Sequence, residues 1–276
     1  MSETTPTVGP DIAAVTARQQ KTWSSGDYSV VAARIPLISE RLCDAADLRS
    51  GSRVLDVAGG SGNTALAASR CGCEVVSVDY VPALLERGRE RAAAEGLAVE
   101  FVEGDAQALP FPDAAFDAVI SGVGVMFAPD QARSAEEMLR VCRPGGTIAL
   151  ANWTPEGFIG GLFRTISAHV PPPPGLMPPP LWGDEDHLAG LLGEGVSELR
   201  MARRDFVFRY DSPAHFTQVF RDFYGPTLVA FASLDDEGRS ALAADIEALV
   251  RRFDRIGGEG PVAIPGQYLE AVATRA

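Results

Sequence analysis

The sequence predicts an α/β protein with an open, mostly parallel sheet covered by helices on both faces. Three observations carry that expectation. Short apolar runs, Val54 to Val57 and Cys73 to Tyr80, have the length of buried parallel strands, and Val99 to Val102 reads as the next strand. Segments with helical patterning alternate with them, as the crossovers of a parallel sheet require. The first run also passes at once into Ala58-Gly59-Gly60-Ser61-Gly62, small residues that let the backbone turn sharply and bring main-chain N–H groups against a ligand. In an open α/β sheet such a turn lies at the carboxyl ends of the strands, where ligands bind.

Two cofactor classes use a turn of this kind. From Gly60, the segment G-S-G-N-T-A fits the dinucleotide pattern G-x-G-x-x-G/A, a match that is weak on its own. Asp56 discriminates better. A carboxylate just before the turn repels a pyrophosphate and attracts a ligand carrying an ammonium and a sulfonium. Asp79 follows Asp56 by 23 positions, close to the spacing of about 20 at which a strand-end acid takes a ribose hydroxyl. Both NAD and S-adenosylmethionine carry a ribose, so Asp79 leaves the choice open. Gly104-Asp105-Ala106-Gln107 then follows the third strand and leads to Leu109-Pro110-Phe111.

The remaining elements are read in order. Asp11 to Trp23 predicts a helix, and a second runs from about Ser29 to Ala46 with Ile35, Ile38 and Leu42 on one face. Val81 to Glu95 is a charged amphipathic helix. Phe116 to Ile120 is the fourth strand, with Ser121 and Gly122 at its carboxyl end. A helix from Asp130 to Cys142 is broken by Arg143-Pro144-Gly145-Gly146, and Thr147 to Asn152 is the fifth strand. Seven prolines within residues 171 to 180 favour stiff, extended backbone. A linker and a recognition sequence for proline-binding modules are both open, and we prefer a rigid loop over the site mouth, carrying Leu176, Met177 and Trp182. A short helix from Asp184 to Leu192 leads to a sixth strand, Ser197 to Tyr210. Asp211-Ser212-Pro213 caps a helix bearing Phe216, Phe220, Phe223 and Tyr224 on one stripe. Leu234 to Phe253 is a further helix, and Gln267 to Thr274 is the last strand.

Five segments, V-L-D-V-A-G-G-S-G (54 to 62), V-D-Y (78 to 80), G-D-A-Q-A-L-P-F (104 to 111), F-D-A-V-I-S (116 to 121) and L-R-V-C-R-P-G-G (139 to 146), keep one order and spacing. In these the chain resembles the class I S-adenosylmethionine-dependent methyltransferases, above all the group of ubiquinone/menaquinone-biosynthesis and small-molecule methyltransferases. Ala58 departs from the glycine of many members, and S-G-V-G-V-M-F (121 to 127) lacks the histidine or acid some place there. The resemblance implies a Rossmann-like, seven-stranded, mostly parallel sheet with an antiparallel last strand. It also implies an N-terminal helical lid and a helical acceptor-site insertion between the last two strands. One structural domain would comprise a cap (1 to 50), a cofactor-binding core (51 to 155) and a part completing the sheet (156 to 276).

By the same resemblance the cofactor is S-adenosyl-L-methionine. Asp56 with Ala58, Gly59, Gly60 and Gly62 would hold its methionine portion, and Asp79 and Tyr80 its ribose. Asp105 and Ala106 would meet the adenine, with Ser121, Leu109, Met126 and the lid aromatics Trp23 and Tyr28 completing the contacts. Phe127, Trp153, Trp182, Phe220 and Tyr224 are the candidates for the acceptor pocket.

Composition narrows the function. A net charge of −13 argues against a nucleic-acid partner, which needs a basic face. No apolar run reaches the length of a membrane span and the N-terminus lacks a signal pattern, which predicts a soluble, cytoplasmic protein. Cys43, Cys71, Cys73 and Cys142 lack metal-ligand spacing, so reduced thiols and no metal are expected. Methyl transfer from a sulfonium needs mainly proximity and exclusion of water. An acceptor of high pKa would gain from a base, for which His169 and His215 are the candidates. The acceptor is expected to be a small, largely apolar molecule methylated on oxygen, nitrogen or carbon, and a homodimer is allowed. A cofactor-binding protein that does not methylate and an NAD(P) oxidoreductase are the alternatives.

Overall fold

The structure is a computed structural model that describes residues 11–258 and 260–276. The first ten residues of the expected cap therefore lie outside the described residues. In chain order the elements are α1 (Ile12–Trp23), α2 (Ser29–Ala32), α3 (Pro36–Ala45), β1 (Arg53–Val57), α4 (Asn63–Arg70), β2 (Glu74–Asp79), α5 (Pro82–Glu95), β3 (Val99–Glu103), β4 (Phe116–Gly122), α6 (Gln131–Val141), β5 (Cys142–Trp153), α7 (Phe158–His169), α8 (Glu185–Leu192), β6 (Val196–Tyr210), α9 (Pro213–Phe223), α10 (Gly225–Ser233), α11 (Asp236–Phe253) and β7 (Val262–Arg275).

The seven strands form one sheet in the order β3-β2-β1-β4-β5-β7-β6. The first five are parallel, and β7 runs antiparallel to both β5 and β6. The order reverses between β1 and β4. That switch point opens a crevice at the carboxyl ends of those strands, and the glycine turn after β1 lies beside it. The buried valines and isoleucines of β1, β2, β4 and β5 are the centre of the hydrophobic core, as the continuous apolar runs require.

Four differences from the sequence reading have local causes. The helix expected from Ser29 to Ala46 is two helices, because Pro36 cannot continue the first and instead opens the second. Arg143 to Gly146 does not separate helix from strand. β5 already begins at Cys142, and these residues form an irregularity within it, where pairing with β4 jumps from Phe116↔Cys142 to Ala118↔Thr147. β7 starts at Val262, five residues earlier than expected, because it pairs with β6 along its whole length. Pro265 is tolerated there because β5 reaches only Tyr268, so this stretch of β7 has one free edge.

The fourth difference concerns the proline-rich stretch. α7 intervenes between β5 and the prolines, and the turn at Pro179–Gly183 packs against β5 and against the turn at Val125–Phe127, beside the crevice without lining it. Trp182 is fully buried there, and a Cβ on Gly183 would sit 2.2 Å from the carbonyl oxygen of Trp153. The helical insertion between the last two strands is α9, α10 and α11, with α10 unanticipated. No helix among the described residues is long and apolar enough to cross a membrane.

Candidate functional site

The turn after β1 is shaped by backbone requirements that differ at each position. Gly60 and Gly62 have φ of +56° and +85°, which glycine adopts without a steric penalty. Gly59 is needed for space: a Cβ there would stand 2.2 Å from Ser77 Oγ and 2.5 Å from Asp56 Oδ2. Ala58 takes φ +53° without being glycine, so this position carries strain. Across the crevice Val123, β-branched, has φ +69°, and its N–H donates to the Ala151 carbonyl at 2.7 Å. Two strained backbone positions thus face the same cleft.

Asp79, the last residue of β2, ties this turn in place. Its Oδ2 accepts from the Gly60 N–H at 2.9 Å and its Oδ1 from the Val81 N–H at 2.8 Å. Burial raises its carboxyl to about 6, with the bonds from Val81 and Gly60 opposing the shift. Above the turn stands a wall from the N-terminal helices. Gln20 Nε2 on α1 donates to the Tyr80 carbonyl at 2.5 Å, and Asn63 Nδ2 at the start of α4 donates to the Ala32 carbonyl at 2.8 Å. Trp23, Tyr28, Ile35 and Ile38 close that side, and Phe127 and Ala128 close the side after β4. Together these residues line one partly open cleft.

Of the residues expected at the cofactor, Ala58, Gly59, Gly60, Asp79, Tyr80, Ala106, Trp23 and Tyr28 line this cleft, and so does Phe127 of the expected acceptor pocket. The others are placed elsewhere. Asp56 is fully buried beneath the turn, where its Oδ2 accepts from the Ala65 N–H at 2.9 Å and its Oδ1 has no partner. Burial, and then repulsion from Asp79, raises its carboxyl to about 8. Gly62 faces Phe101 and Gly88 instead of the cleft. The Asp105 carboxylate is bound by the Gln107 side chain, at 3.1 and 3.0 Å, in the same network that links Gln107 to Thr16 of α1. Ser121 donates to the Val57 carbonyl and accepts from Val125, joining the end of β1 to the turn after β4. Met126 and Leu109 are core residues.

The remaining acceptor-pocket candidates are packing residues. Trp153 meets Phe208 and Tyr268, Trp182 is buried under the proline turn, and Phe220 stacks on Phe216 with centroids 4.2 Å apart. Tyr224 stands behind the cleft wall, 5.5 Å from the Trp23 ring. Neither base candidate reaches the cleft. His169 Nε2 pairs with Asp245 Oδ2 at 2.7 Å, and His215 Nδ1 lies 3.1 Å from Asp211 Oδ2. Sequence reasoning missed Ser39, Asn63, Thr64, Val123 and Gly124, all of which line the cleft. For Asn63 a signal existed: it is the first helical residue after the glycine turn, where side chains face the ligand side.

The donor set identifies the kind of ligand the cleft suits. Its lining includes the Asp79 carboxylate and Asn63, whose Oδ1 is buried without a partner, and it includes no arginine or lysine among the described residues. Such a site suits a ligand that brings its own positive charges and hydrogen-bond donors, and among the described residues it offers a pyrophosphate no cation. No group of three or more metal-ligating side chains occurs among the described residues.

A fold with its ligand crevice at the β1/β4 switch point, and a cleft suited to a cationic nucleoside, define a class of S-adenosylmethionine-binding proteins. Comparison with known proteins agrees. Residues 55–150 match the family model described as a methyltransferase domain. An uncharacterized protein of Mycobacterium tuberculosis is 44% identical over 234 residues, spanning 84% of this chain and 85% of that one. The demethylmenaquinone methyltransferase of Thermus thermophilus is 37% identical over 161 residues, 52% of this chain and 73% of that one. The crystal structure of the YcgJ protein of Bacillus subtilis superposes with a TM-score of 0.56 at 20% identity, over 86% of this chain and 97% of that one, a likeness of fold. The chain belongs to the class I S-adenosylmethionine-dependent methyltransferases, and S-adenosylmethionine is its cofactor.

Proposed function

We propose that this protein transfers the methyl group of S-adenosylmethionine to a small, largely apolar acceptor bound in the same cleft. The observation that carries the reading is the Asp79–Gly60 bond, which places a buried carboxylate and a glycine turn on one wall of a cleft whose opposite wall is aromatic. In this reading residues 1–50 cap the site, 51–155 carry the cofactor and 156–276 complete the sheet.

When bound, the cofactor supplies an electrophilic methyl group on a sulfonium, a leaving group that needs no activation. The protein's contribution is placement. Asp79 would take the ribose hydroxyls, Asn63 Oδ1 and the uncapped N-terminus of α4 would face the amino-acid portion, and Ala106 would lie against the adenine. Trp23, Tyr28, Ile35, Ile38 and Phe127 exclude water from the acceptor. Holding two reactants in line accounts for several of the roughly 7–11 kcal/mol that ideal positioning can supply. The likeness to the Thermus demethylmenaquinone methyltransferase supports a quinone-like acceptor.

Incubation with methyl-labelled cofactor and a panel of small acceptors tests the reading. Label in an organic product is expected. Cofactor binding without transfer to any acceptor would instead favour the second reading, a member of the fold that keeps the cofactor and has lost methylation, which the absence of histidine, cysteine and lysine among the described residues lining the cleft makes specific.

A further inference from the structure

One face of α1 is bonded to the loops that build the cleft. Thr16, Gln20 and Trp23 stand at i, i+4 and i+7, so they project along a single stripe of the helix. Trp23 lines the cleft itself, and Gln20 Nε2 donates to the carbonyl of Tyr80, another lining residue. Thr16 Oγ1 accepts from Gln107 Nε2 at 3.0 Å, across 91 positions of sequence. Gln107 directly follows Ala106, the lining residue set against the adenine in the reading above.

Gln107 is buried, and both ends of its amide are bonded. Nε2 serves Thr16 and both oxygens of the Asp105 carboxylate, at 3.1 and 3.0 Å, while Oε1 accepts from the Asp130 N–H at 2.9 Å. The amide cannot turn over, because Oε1 would then face a carboxylate and two donors would meet at Asp130. Its main chain is held as well: the N–H donates to Asp105 Oδ1 at 2.9 Å, and the carbonyl accepts from Arg133 Nε at 3.2 Å. Two residues on, the Leu109 N–H donates to Glu137 Oε2 at 2.7 Å and the Leu109 carbonyl accepts from Arg140 Nη2 at 3.0 Å. The loop after β3 is therefore anchored to α6, and Gln107 Nε2 extends that anchorage to α1.

We propose that Gln107 is a positioning residue that couples adenine recognition to the docking of α1. Its bonds set Ala106 on one wall of the cleft and, through Thr16, help to bring Trp23 to another. The inference rests on the methyl-transfer reading above and on its placement of the cofactor. A ligand that touches both walls binds more tightly when α1 is docked, and by linkage it holds α1 docked in return. The Thr16–Gln107 bond thus contributes to cofactor affinity although neither residue lines the cleft.

The test is calorimetry with S-adenosylhomocysteine on the unmodified chain, Thr16→Val, Thr16→Ser, Gln107→Met and the double variant, with hydrogen exchange of the α1 amides read with and without the ligand. Threonine, valine and serine have similar helix propensities, so the Thr16 pair changes the bond and not the helix. Thr16→Val should weaken binding about fivefold, the share of one neutral hydrogen bond, and Thr16→Ser should bind within about twofold of the unmodified protein. In the Gln107→Met background Thr16→Val should weaken binding no further, because the bond it removes is already gone. The ligand should slow α1 exchange in the unmodified protein, and less so in Thr16→Val. Unchanged affinity in Thr16→Val, an equal loss in Thr16→Ser, additive losses in the double variant, or α1 exchange indifferent to the ligand overturns the coupling. Thr16 is only half-buried, so its two variants decide the matter even where Gln107→Met does not fold. Failure of S-adenosylhomocysteine to bind the unmodified protein would overturn the methyl-transfer reading beneath the proposal, whereas normal binding with no effect at Thr16 overturns the coupling alone.

Discussion

The Asp79 carboxylate accepts the Gly60 N–H at 2.9 Å, so the acid that ends β2 also fixes the turn that follows β1. One side chain sets both the electrostatics of the cleft and the shape of its glycine wall. Asp79→Asn keeps the volume but turns an N–H toward one of two backbone donors that now has no acceptor. Loss of a charge-assisted bond costs about 1.5–3 kcal/mol. Affinity for S-adenosylmethionine, measured by calorimetry, should fall at least tenfold, with far-ultraviolet circular dichroism unchanged.

Ala58 and Gly59 are neighbours with opposite tolerances. At φ +53°, Ala58 carries strain of about 1–2 kcal/mol that glycine would relieve, against about 0.4–1 kcal/mol of added unfolded-state entropy. Ala58→Gly should therefore raise the thermal midpoint slightly. Gly59→Ala should lower it by several degrees, because its Cβ would collide with Ser77 and Asp56.

Two buried carboxyls make stability depend on pH. Asp56 is raised from 3.8 to about 8 and Asp79 from 3.8 to about 6, mainly by burial. In the folded protein both keep protons that the unfolded chain has already lost. Their favourable contribution is complete below the ordinary carboxyl range and disappears as pH rises through about 6 and then about 8. Urea midpoints of the cofactor-free protein should fall between about pH 4 and pH 8, from the unfolded carboxyl value to the higher folded one. Asp56→Asn should flatten the upper part of that decline. Affinity for the cationic cofactor should rise over the same interval, as ionised carboxylates attract the sulfonium.

His169 and His215 each have a carboxylate partner and neither reaches the cleft. His169→Ala and His215→Ala should change kcat for methyl transfer by less than about twofold and leave its pH profile in place, as expected for removal of groups outside the reacting centre.

The centre of the sheet was legible because β1 and β2 carry compact apolar runs that pass directly into a glycine turn or an acid. The glycine turn and Asp79 were legible for the same reason, since their roles depend on local backbone. Asp56 shows where that logic stops: it is also an acid near a strand end, yet it lies one residue inside β1 and its side chain goes under the turn toward α4. α7 was not anticipated, and it contains Gly160 and Gly161. Gly160 is there because a Cβ would stand 2.2 Å from the Pro155 carbonyl, a packing need that no local pattern reveals. The histidines and the aromatic stripe of α9 were judged by residue type and position in the chain, and only the crossing of α7, α9 and α11 decides that they face each other and not the cleft.

The central claim is that this cleft holds a sulfonium nucleoside through Asp79 and the glycine turn. Calorimetry of the purified protein with S-adenosylmethionine, S-adenosylhomocysteine and NAD in parallel tests it most directly. The account predicts micromolar binding of both sulfur compounds, no binding of NAD, and loss of the first two in Asp79→Asn. Binding of NAD, or failure of both sulfur compounds to bind, would contradict it.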